Sequence, residues 1–298
     1  MPDRRDFLKT AAGAAAGLAA LELAPLAAAP VWPDLAVARG ASAQKITREA
    51  VNALGGMRRF VSKGDVVIVK PNIGWDRTPE QAANTNPQVV ATVVTLCLEA
   101  GAKSVKVFDR PCNDPRRCYV QSGIEAAAKA AGAEGSHIND YKFREVNLPG
   151  GKAITSWPLY EELLQADKFI NVPIAKHHGL SRLTLSMKNW MGVMGASRGR
   201  IHQNIGEALA DLAAVIKPAL TVLDAVRILT ANGPQGGRLS DVKQLNTVIA
   251  GTDYVAVDSY GATLFGLTGA DIPYVAAASR RGIGTLDLSK LAIKEMKV

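Results

Sequence analysis

The chain has 298 residues, of which 48% are hydrophobic and 21% charged, an ordinary globular composition that suffices for one large domain or for two lobes. Its formal net charge is +8, yet aromatic residues make up only 5% and no basic stripe is interleaved with them, which argues against a nucleic-acid-binding protein. The positive charge is concentrated in residues 168–206, and a local excess of this kind favours a small anionic ligand.

Residues 1–29 are predicted to be an export signal. The segment from Asp3 to Lys9 resembles the twin-arginine motif, and an alanine-rich stretch and a small-residue cleavage site before Pro30 follow it. The stretch is only weakly apolar and is interrupted by Glu22 and Pro25, so it would be a poor membrane anchor, the alternative interpretation. We therefore expect the twin-arginine translocase as a partner, a periplasmic or otherwise exported product, and no stable membrane span after cleavage.

The remaining chain is predicted to contain an N-terminal strap and helix, residues 30–60, and an α/β domain, residues 61–298. Val66 to Val69 is a continuous β-branched run, which is typical of a strand buried on both faces of a parallel sheet. Asn86-Pro87 opens a helix, and Ser104 to Phe108 is the next strand. Because strands and helices go on alternating, we predict a layered α/β fold with a mostly parallel sheet flanked by helices, in one body or two lobes.

Polar residues follow several of the predicted strands. Lys70 and Asn72 follow the first of them, Asp109 and Arg110 follow the second, and Asn171, Asp224 and Asp253 lie at the ends of later ones. Ligands of open α/β sheets bind outside the carboxyl ends of the strands, so we expect these side chains to converge on one crevice. For any single residue of the set, a turn or a helix N-cap is the alternative explanation.

The segment of residues 168–206 contains no acidic residue at all. Its basic residues are Lys168, Lys176, Arg182, Lys188, Arg198 and Arg200, a formal +6. It also holds three of the four histidines, His177, His178 and His202. Four glycines divide it into short pieces, and basic groups and imidazoles on turns predict a pocket for an anion, or for a metal with an anion. A solvated basic loop is the alternative.

Two kinds of chemistry are open to these side chains. His178 and His202 with a carboxylate such as Asp224, Asp253 or Asp258 would make a three-ligand site with open positions, suited to a divalent metal such as zinc or iron. Of the three carboxylates we choose Asp253 as the metal ligand. Lys176 and Lys188 could hold a substrate carboxylate or phosphate, or could act as desolvated bases or Schiff-base formers.

Amides and an arginine complete the predicted site. Asn72 and Asn189 could orient an oxyanion. The predicted ligand-binding set is Lys70, Asn72, Asn189, Arg198, Asp224 and Asp253. The predicted catalytic set is Lys176, His178, Lys188 and His202.

Several sequence blocks are characteristic when taken together. They include VVIVKPNIGW, KFINVPIAKHHGLSRLTLSMKNWMGV, TVLDAV and VIAGTDYVAVDSYGATLFG, between about Val61 and Gly284. In order and spacing they resemble the family called DUF362, a domain of unknown function. The positions that match the family pattern are Lys176, His178, Lys188, Asn189 and His202. The family name brings no established reaction, and the ferredoxin-type cysteine clusters of some members are missing here, so we expect no iron–sulfur cluster.

The three cysteines permit two interpretations. Cys112 and Cys118 flank a turn-like segment and could form a local disulfide in an oxidising compartment, or could remain free thiols. Cys97 lies in an apolar helical run and is expected to pack in the core.

Two functional hypotheses follow from the sequence. The first is an exported enzyme that acts on a small anionic substrate, either with or without the assistance of a metal. The second is a non-catalytic accessory protein that binds an anion, a metal or a cofactor.

Overall fold

The computed structural model describes residues 31–135 and 137–298. The predicted export signal over residues 1–29 therefore lies outside the described residues. The strands are β1 (Leu35–Arg39), β2 (Val66–Pro71), β3 (Ser104–Val107), β4 (Glu134–Gly135), β5 (Phe143–Asn147), β6 (Ser156–Tyr160), β7 (Lys168–Val172), β8 (Ile174–His178), β9 (Arg182–Thr184), β10 (Leu220–Leu229), β11 (Val242–Gly251) and β12 (Ile293–Lys297).

The main sheet, which has ten strands within the described residues, runs in the order β12-β1-β11-β10-β7-β2-β3-β4, and β8 and β9 are attached to β10. Its central part is parallel, from β10 through β7, β2 and β3 to β4. Strand β11 runs antiparallel to both β10 and β1, and β12 is parallel to β1. The predicted mostly parallel sheet is thus confirmed. The segment predicted as a strap contributes β1, which lies inside this sheet.

Helices cover the sheet on both faces. The α-helices are α1 (Ala43–Ala53), α2 (Pro87–Ala100), α3 (Pro115–Gln121), α4 (Ile124–Ala130), α5 (Glu161–Gln165), α6 (Ser186–Asn189), α7 (Ile205–Leu212), α8 (Tyr254–Thr263) and α9 (Pro273–Arg280). Short 3-10 helices include Trp190–Val193 and Arg198–Asn204. Helix α2 begins where the sequence predicts, because the Asn86 side chain accepts a hydrogen bond from the backbone N–H of Gln88.

Alternation along the strands divides the apolar residues into two cores. Val67 and Val69 of β2 pack with α1, α2 and α4 in one core, whereas Ile68 belongs to a second core with α7, α8 and α9. A parallel strand buried on both faces produces this arrangement, since successive side chains point to opposite sides. Both cores lie within a single unit, Trp32–Val298.

The basic segment has more regular structure than its glycines suggest. Strands β8 and β9 pair as a hairpin, which leads through α6 into the two 3-10 helices named above. Lys176 on β8 and Lys188 on α6 are only 1% and 8% exposed. The segment is therefore a buried part of the fold, and the interpretation as a solvated loop is wrong for these two lysines.

Candidate functional site

A cavity of about 610 Å³ opens at the carboxyl ends of β2, β3 and β8. That volume falls in the range of about 300–1,000 Å³ that is usual for small-molecule pockets. The predicted site residues that line it are Asn72, Lys176, His178, Lys188, Asn189, Arg198 and His202. Segments that are far apart in sequence thus meet at one edge of the sheet.

Lys70 lies directly behind the cavity wall. Its buried Nζ is 2.8 Å from Asp109 Oδ1, and it also donates to the backbone oxygen of Pro71 and to Asn189 Oδ1. Burial lowers the pKa of Lys70 more than the neighbouring Asp109 carboxylate raises it. Lys70 is therefore a supporting group that holds Asp109 and Asn189, rather than a group that contacts a ligand.

Asp109 is the only acidic residue among the cavity-lining residues that the structure describes. Besides Lys70, the backbone N–H groups of Ile73 and Arg110 donate to its carboxylate, at 2.6 and 2.9 Å. Its charge is therefore already compensated by neighbours within the protein.

Two asparagines connect Lys70 to Lys176. Asn189 Oδ1 accepts from Lys70 Nζ at 3.2 Å and from Asn72 Nδ2 at 3.1 Å, and Asn72 Oδ1 accepts from Lys176 Nζ at 3.0 Å. Both amide oxygens are thus occupied by donors. In this arrangement Asn72 and Asn189 position the two amines. The Asn189 amide nitrogen also donates to the backbone oxygen of Lys70 and to Asn171 Oδ1, so the predicted oxyanion role would rest on the second N–H of Asn72.

Lys176 is held rigidly at the cavity. Its Nζ also donates to the backbone oxygen of Ala83, and burial lowers its pKa to about 7. The positive charge of nearby Lys188 lowers that pKa further. Loss of hydration without an acidic partner is the physical cause.

Lys188 is the least satisfied of the buried amines. Helix α6, which carries it, is fixed at its start by Asp258, whose buried carboxylate accepts from the N–H groups of Ser186 and Met187 at 2.6 and 3.0 Å. The Lys188 amine itself lines the cavity and has neither a hydrogen bond nor an ion pair among the described residues. Burial lowers its pKa to about 7.

His178 presents an N–H group to the cavity. Its Nδ1 accepts from the backbone N–H groups of Leu180 at 3.1 Å and Ser181 at 3.3 Å. The proton of the neutral ring must therefore be on Nε2, which leaves no lone pair there for a metal. Burial, followed by the charge of Lys188, lowers the pKa of His178 to about 2.

His202 has the opposite arrangement. Its Nδ1 lies 2.9 Å from the backbone oxygen of Gly199 and donates to it, so Nε2 carries the lone pair. That Nε2 is buried and has no hydrogen-bond partner in the described part of the chain. Burial and the charge of Lys188 lower the pKa of His202, so the ring is neutral near pH 7.

Two further lining residues, Arg110 and Cys112, were not in the predicted catalytic or ligand-binding sets, although Arg110 was among the strand-end residues expected at the crevice. Arg110 and Cys112 follow β3, and Arg198 Nη2 lies 3.4 Å from Cys112 Sγ. Both guanidinium groups donate to backbone oxygens, Arg198 to Met191 and Arg110 to Met194. The signal that could have found them is the strand end itself, since they come just after Asp109.

The predicted metal site is not assembled. Asp253 caps α8 by accepting from Val255 and Ala256, it also accepts from the Thr285 N–H, and it does not line the cavity. Within residues 31–135 and 137–298, no group of three or more His, Cys, Asp or Glu side chains is placed to hold a metal ion. The prediction of Asp253 as a ligand is therefore wrong, because this carboxylate serves as a helix cap.

The prediction for Asp224 is also wrong. Strand β10 continues to Leu229, so Asp224 lies within the strand and not at its end. Its carboxylate accepts from the backbone N–H groups of Asn86, at 2.7 Å, and Val226, at 2.9 Å. It joins β10 to the start of α2 and does not line the cavity.

The cysteines are free thiols. Cys97 and Cys118 are buried, whereas Cys112 is exposed at the cavity. Of the two interpretations of Cys112 and Cys118, the structure therefore shows the one without a disulfide.

Comparison with known proteins identifies the family. Residues 67–263 match the family model described as domain of unknown function DUF362. The chain belongs to this family. Residues 1–20 match the twin-arginine translocation signal, so the protein is exported by the twin-arginine pathway, as predicted. No helix in the described part of the chain is both long enough and apolar enough to span a membrane.

Three proteins are similar to this DUF362 member, one in sequence and two in structure. It is 30% identical over 250 residues to a thylakoid-associated protein of Synechocystis sp., covering 79% of this chain and 74% of that protein. The lactate racemase apoprotein of Thermoanaerobacterium thermosaccharolyticum is similar with a TM-score of 0.43 and 11% identity, over 76% of this chain and 56% of that one. A protein from Thermotoga maritima has a TM-score of 0.48 and 11% identity, over 75% of this chain and 59% of that one.

Proposed function

We propose that this DUF362 protein is an acid–base enzyme that binds a small organic anion in the cavity and moves a proton on it. The observation that carries the proposal is that the cavity combines an uncompensated basic lining with an unpartnered imidazole nitrogen, His202 Nε2. The proposal differs from the metal-assisted form of the sequence-based hypothesis, because residues 31–135 and 137–298 supply no three-ligand metal site.

The charges of the residues that line the cavity support the binding of an anion. Lys176, Lys188 and Arg198 line the cavity, whereas its one described acid, Asp109, is already compensated by Lys70. A carboxylate or phosphate would supply the missing negative charge, and it would raise the pKa of Lys176 so that this lysine binds it in the charged form. Water-poor surroundings strengthen each such contact.

The two imidazoles support proton transfer. His202 offers a lone pair on Nε2 and is neutral near pH 7, which is the form that a general base requires. His178 offers an Nε2–H group that can donate to an oxygen where negative charge develops. The ring centroids are 5.4 Å apart, so one small substrate can contact both.

The test separates binding from catalysis. Calorimetry with pyruvate, propionate and inorganic phosphate would measure binding, and proton NMR in D₂O would follow exchange of hydrogen on carbon next to the carboxyl or carbonyl group. We expect Lys176→Met to abolish binding, and His202→Gln to retain binding but to slow exchange by about 10²-fold or more. Lys217→Ala, which removes an exposed lysine, is the control.

The results distinguish an enzyme from a non-catalytic accessory protein. Binding without exchange in the wild-type protein would support the non-catalytic accessory function instead. Equal binding by the wild-type protein and Lys176→Met would overturn the assignment of the cavity as an anion site.

A further inference from the structure

We propose that Lys188 forms a covalent imine with the carbonyl carbon of its substrate, which makes the substrate class a 2-oxo acid or a similar carbonyl-bearing anion. The inference rests on the proposed function, because the carboxylate of such a substrate occupies the anion site described above. It adds a covalent step that anion binding alone does not require.

The placement of Lys188 carries the inference. Lys188 as a whole residue is 8% exposed, and its amine faces the cavity without a hydrogen bond or ion pair among the described residues. A buried amine without an acidic partner holds its lone pair available, which is what attack on a carbonyl requires. Helix α6 is itself buried at each of its four residues and capped by Asp258, so the amine is presented from a rigid support.

Lys176 serves as an internal contrast. It is equally buried, but its Nζ donates to Asn72 Oδ1 and to the backbone oxygen of Ala83, which fix its position and direction. Those two contacts suit a binding ammonium. The cavity thus holds one amine that is constrained for electrostatic binding and one that is free to react.

The two histidines supply what imine formation needs. The Lys188 lone pair attacks the carbonyl carbon, a C–N bond forms, and the carbonyl π electrons move to oxygen, where the His178 Nε2–H can donate a hydrogen bond. His202 Nε2 takes a proton from nitrogen and passes it to that oxygen, which gives the carbinolamine. His202 Nε2 then transfers the second N–H proton to the carbinolamine hydroxyl. The C–O bond breaks, water leaves and a C=N bond remains.

Reductive trapping tests this step on the mature full-length protein. The protein would be incubated with pyruvate and sodium cyanoborohydride, digested, and mapped by mass spectrometry, with propionate as the matched acid that lacks a carbonyl. We expect a single reduced pyruvate adduct on Lys188, and none with propionate. Lys188→Arg should still bind pyruvate in calorimetry but lose the adduct, whereas Lys217→Ala should be trapped as in the wild type.

The outcomes separate this inference from the proposed function. Binding of pyruvate and propionate with no adduct on Lys188 would overturn the imine but leave the anion site standing. An adduct on Lys176, or adducts spread over exposed lysines at equal yield, would also overturn it. Failure of both acids to bind would overturn the proposed function and the imine together.

Discussion

His178 and His202 stack with ring centroids 5.4 Å apart and planes 22° from parallel, and they expose opposite hydrogen-bonding groups. Backbone N–H groups occupy Nδ1 of His178, whereas a backbone carbonyl accepts from Nδ1 of His202. One ring therefore presents a donor at Nε2, and the other presents an acceptor. Neighbouring backbone groups, and not a third side chain, set both tautomers.

Nitrogen-15 NMR should show these two tautomers directly. We expect His178 as the Nε2–H form and His202 as the Nδ1–H form at neutral pH. Because burial lowers the pKa of His178 to about 2, its ring should stay neutral throughout the pH range in which the protein is folded. A His178 signal that titrates near pH 6.5 would contradict the assignment.

Lys188→Met should stabilise the protein. The change removes a buried, unpartnered amine and keeps an unbranched side chain of similar length, so we expect a gain of about 0.5–2 kcal/mol in the free energy of unfolding near pH 7. Urea denaturation measures this, with Lys217→Met as the exposed control. Destabilisation by Lys188→Met alone would show that the amine is a structural group.

The free energies of unfolding of the wild type and of Lys188→Met should depend differently on pH. The folded pKa of Lys188 is lowered to about 7 from the ordinary 10.5, so between these values the unfolded chain binds more protons than the folded one. The contribution of Lys188 to the free energy of unfolding therefore rises with pH between these two pKa values. Relative to Lys188→Met, the wild type should gain on the order of a few kcal/mol between about pH 7 and 10. A pH-independent difference between the two would contradict the lowered pKa.

Gly192→Ala should damage the support of the cavity. A Cβ at Gly192 would overlap the Asp109 carboxylate and the Lys70 amine, so the ion pair behind the cavity would have to move. We expect a loss of about 1–3 kcal/mol in the free energy of unfolding, together with weaker anion binding. Gly135→Ala, where no atom lies within 4 Å of the new Cβ, should leave both unchanged.

Thiol reactivity should single out Cys112. In the native protein one cysteine should react quickly with Ellman's reagent, because Cys112 is exposed whereas burial raises the pKa of Cys118 to about 11 and of Cys97 to about 12. Cys112→Ser should remove the fast phase, and all three thiols should react after denaturation. A small anion bound in the cavity should slow the fast phase. Two unreactive cysteines in the denatured, unreduced protein would indicate a disulfide instead.

Spacing along the chain predicted the centre of the site. Lys176 and His178 are two residues apart on β8, so they point to the same side of the strand, and both line the cavity. His177, between them, points elsewhere and accepts a hydrogen bond from the Gly233 N–H. The absence of acidic residues from this segment was informative because the same residues fold around a single cavity.

The strand-end aspartates show where sequence reasoning fails. Asp109, Asp224 and Asp253 look alike in sequence, yet only Asp109 lines the cavity. An aspartate that caps a helix and one that faces a ligand have the same local pattern, and only the strand's true length and the helix that follows decide between them. Arg110 was expected at the crevice as a strand-end residue, whereas Cys112 was not, since a loop residue has no periodicity that indicates its direction.

The asparagine-linked lysines have a consequence for the order of events in the cell. The contacts Lys70–Asn189 and Asn72–Lys176 join residues 119 and 104 positions apart. Contacts between residues so far apart in sequence cost much chain entropy and form only when the sheet has formed. A partly folded chain therefore lacks the binding site. The twin-arginine route carries proteins that have already folded. The cavity is therefore complete before the chain crosses the membrane, so the proposed anion site would already be formed on the cytoplasmic side.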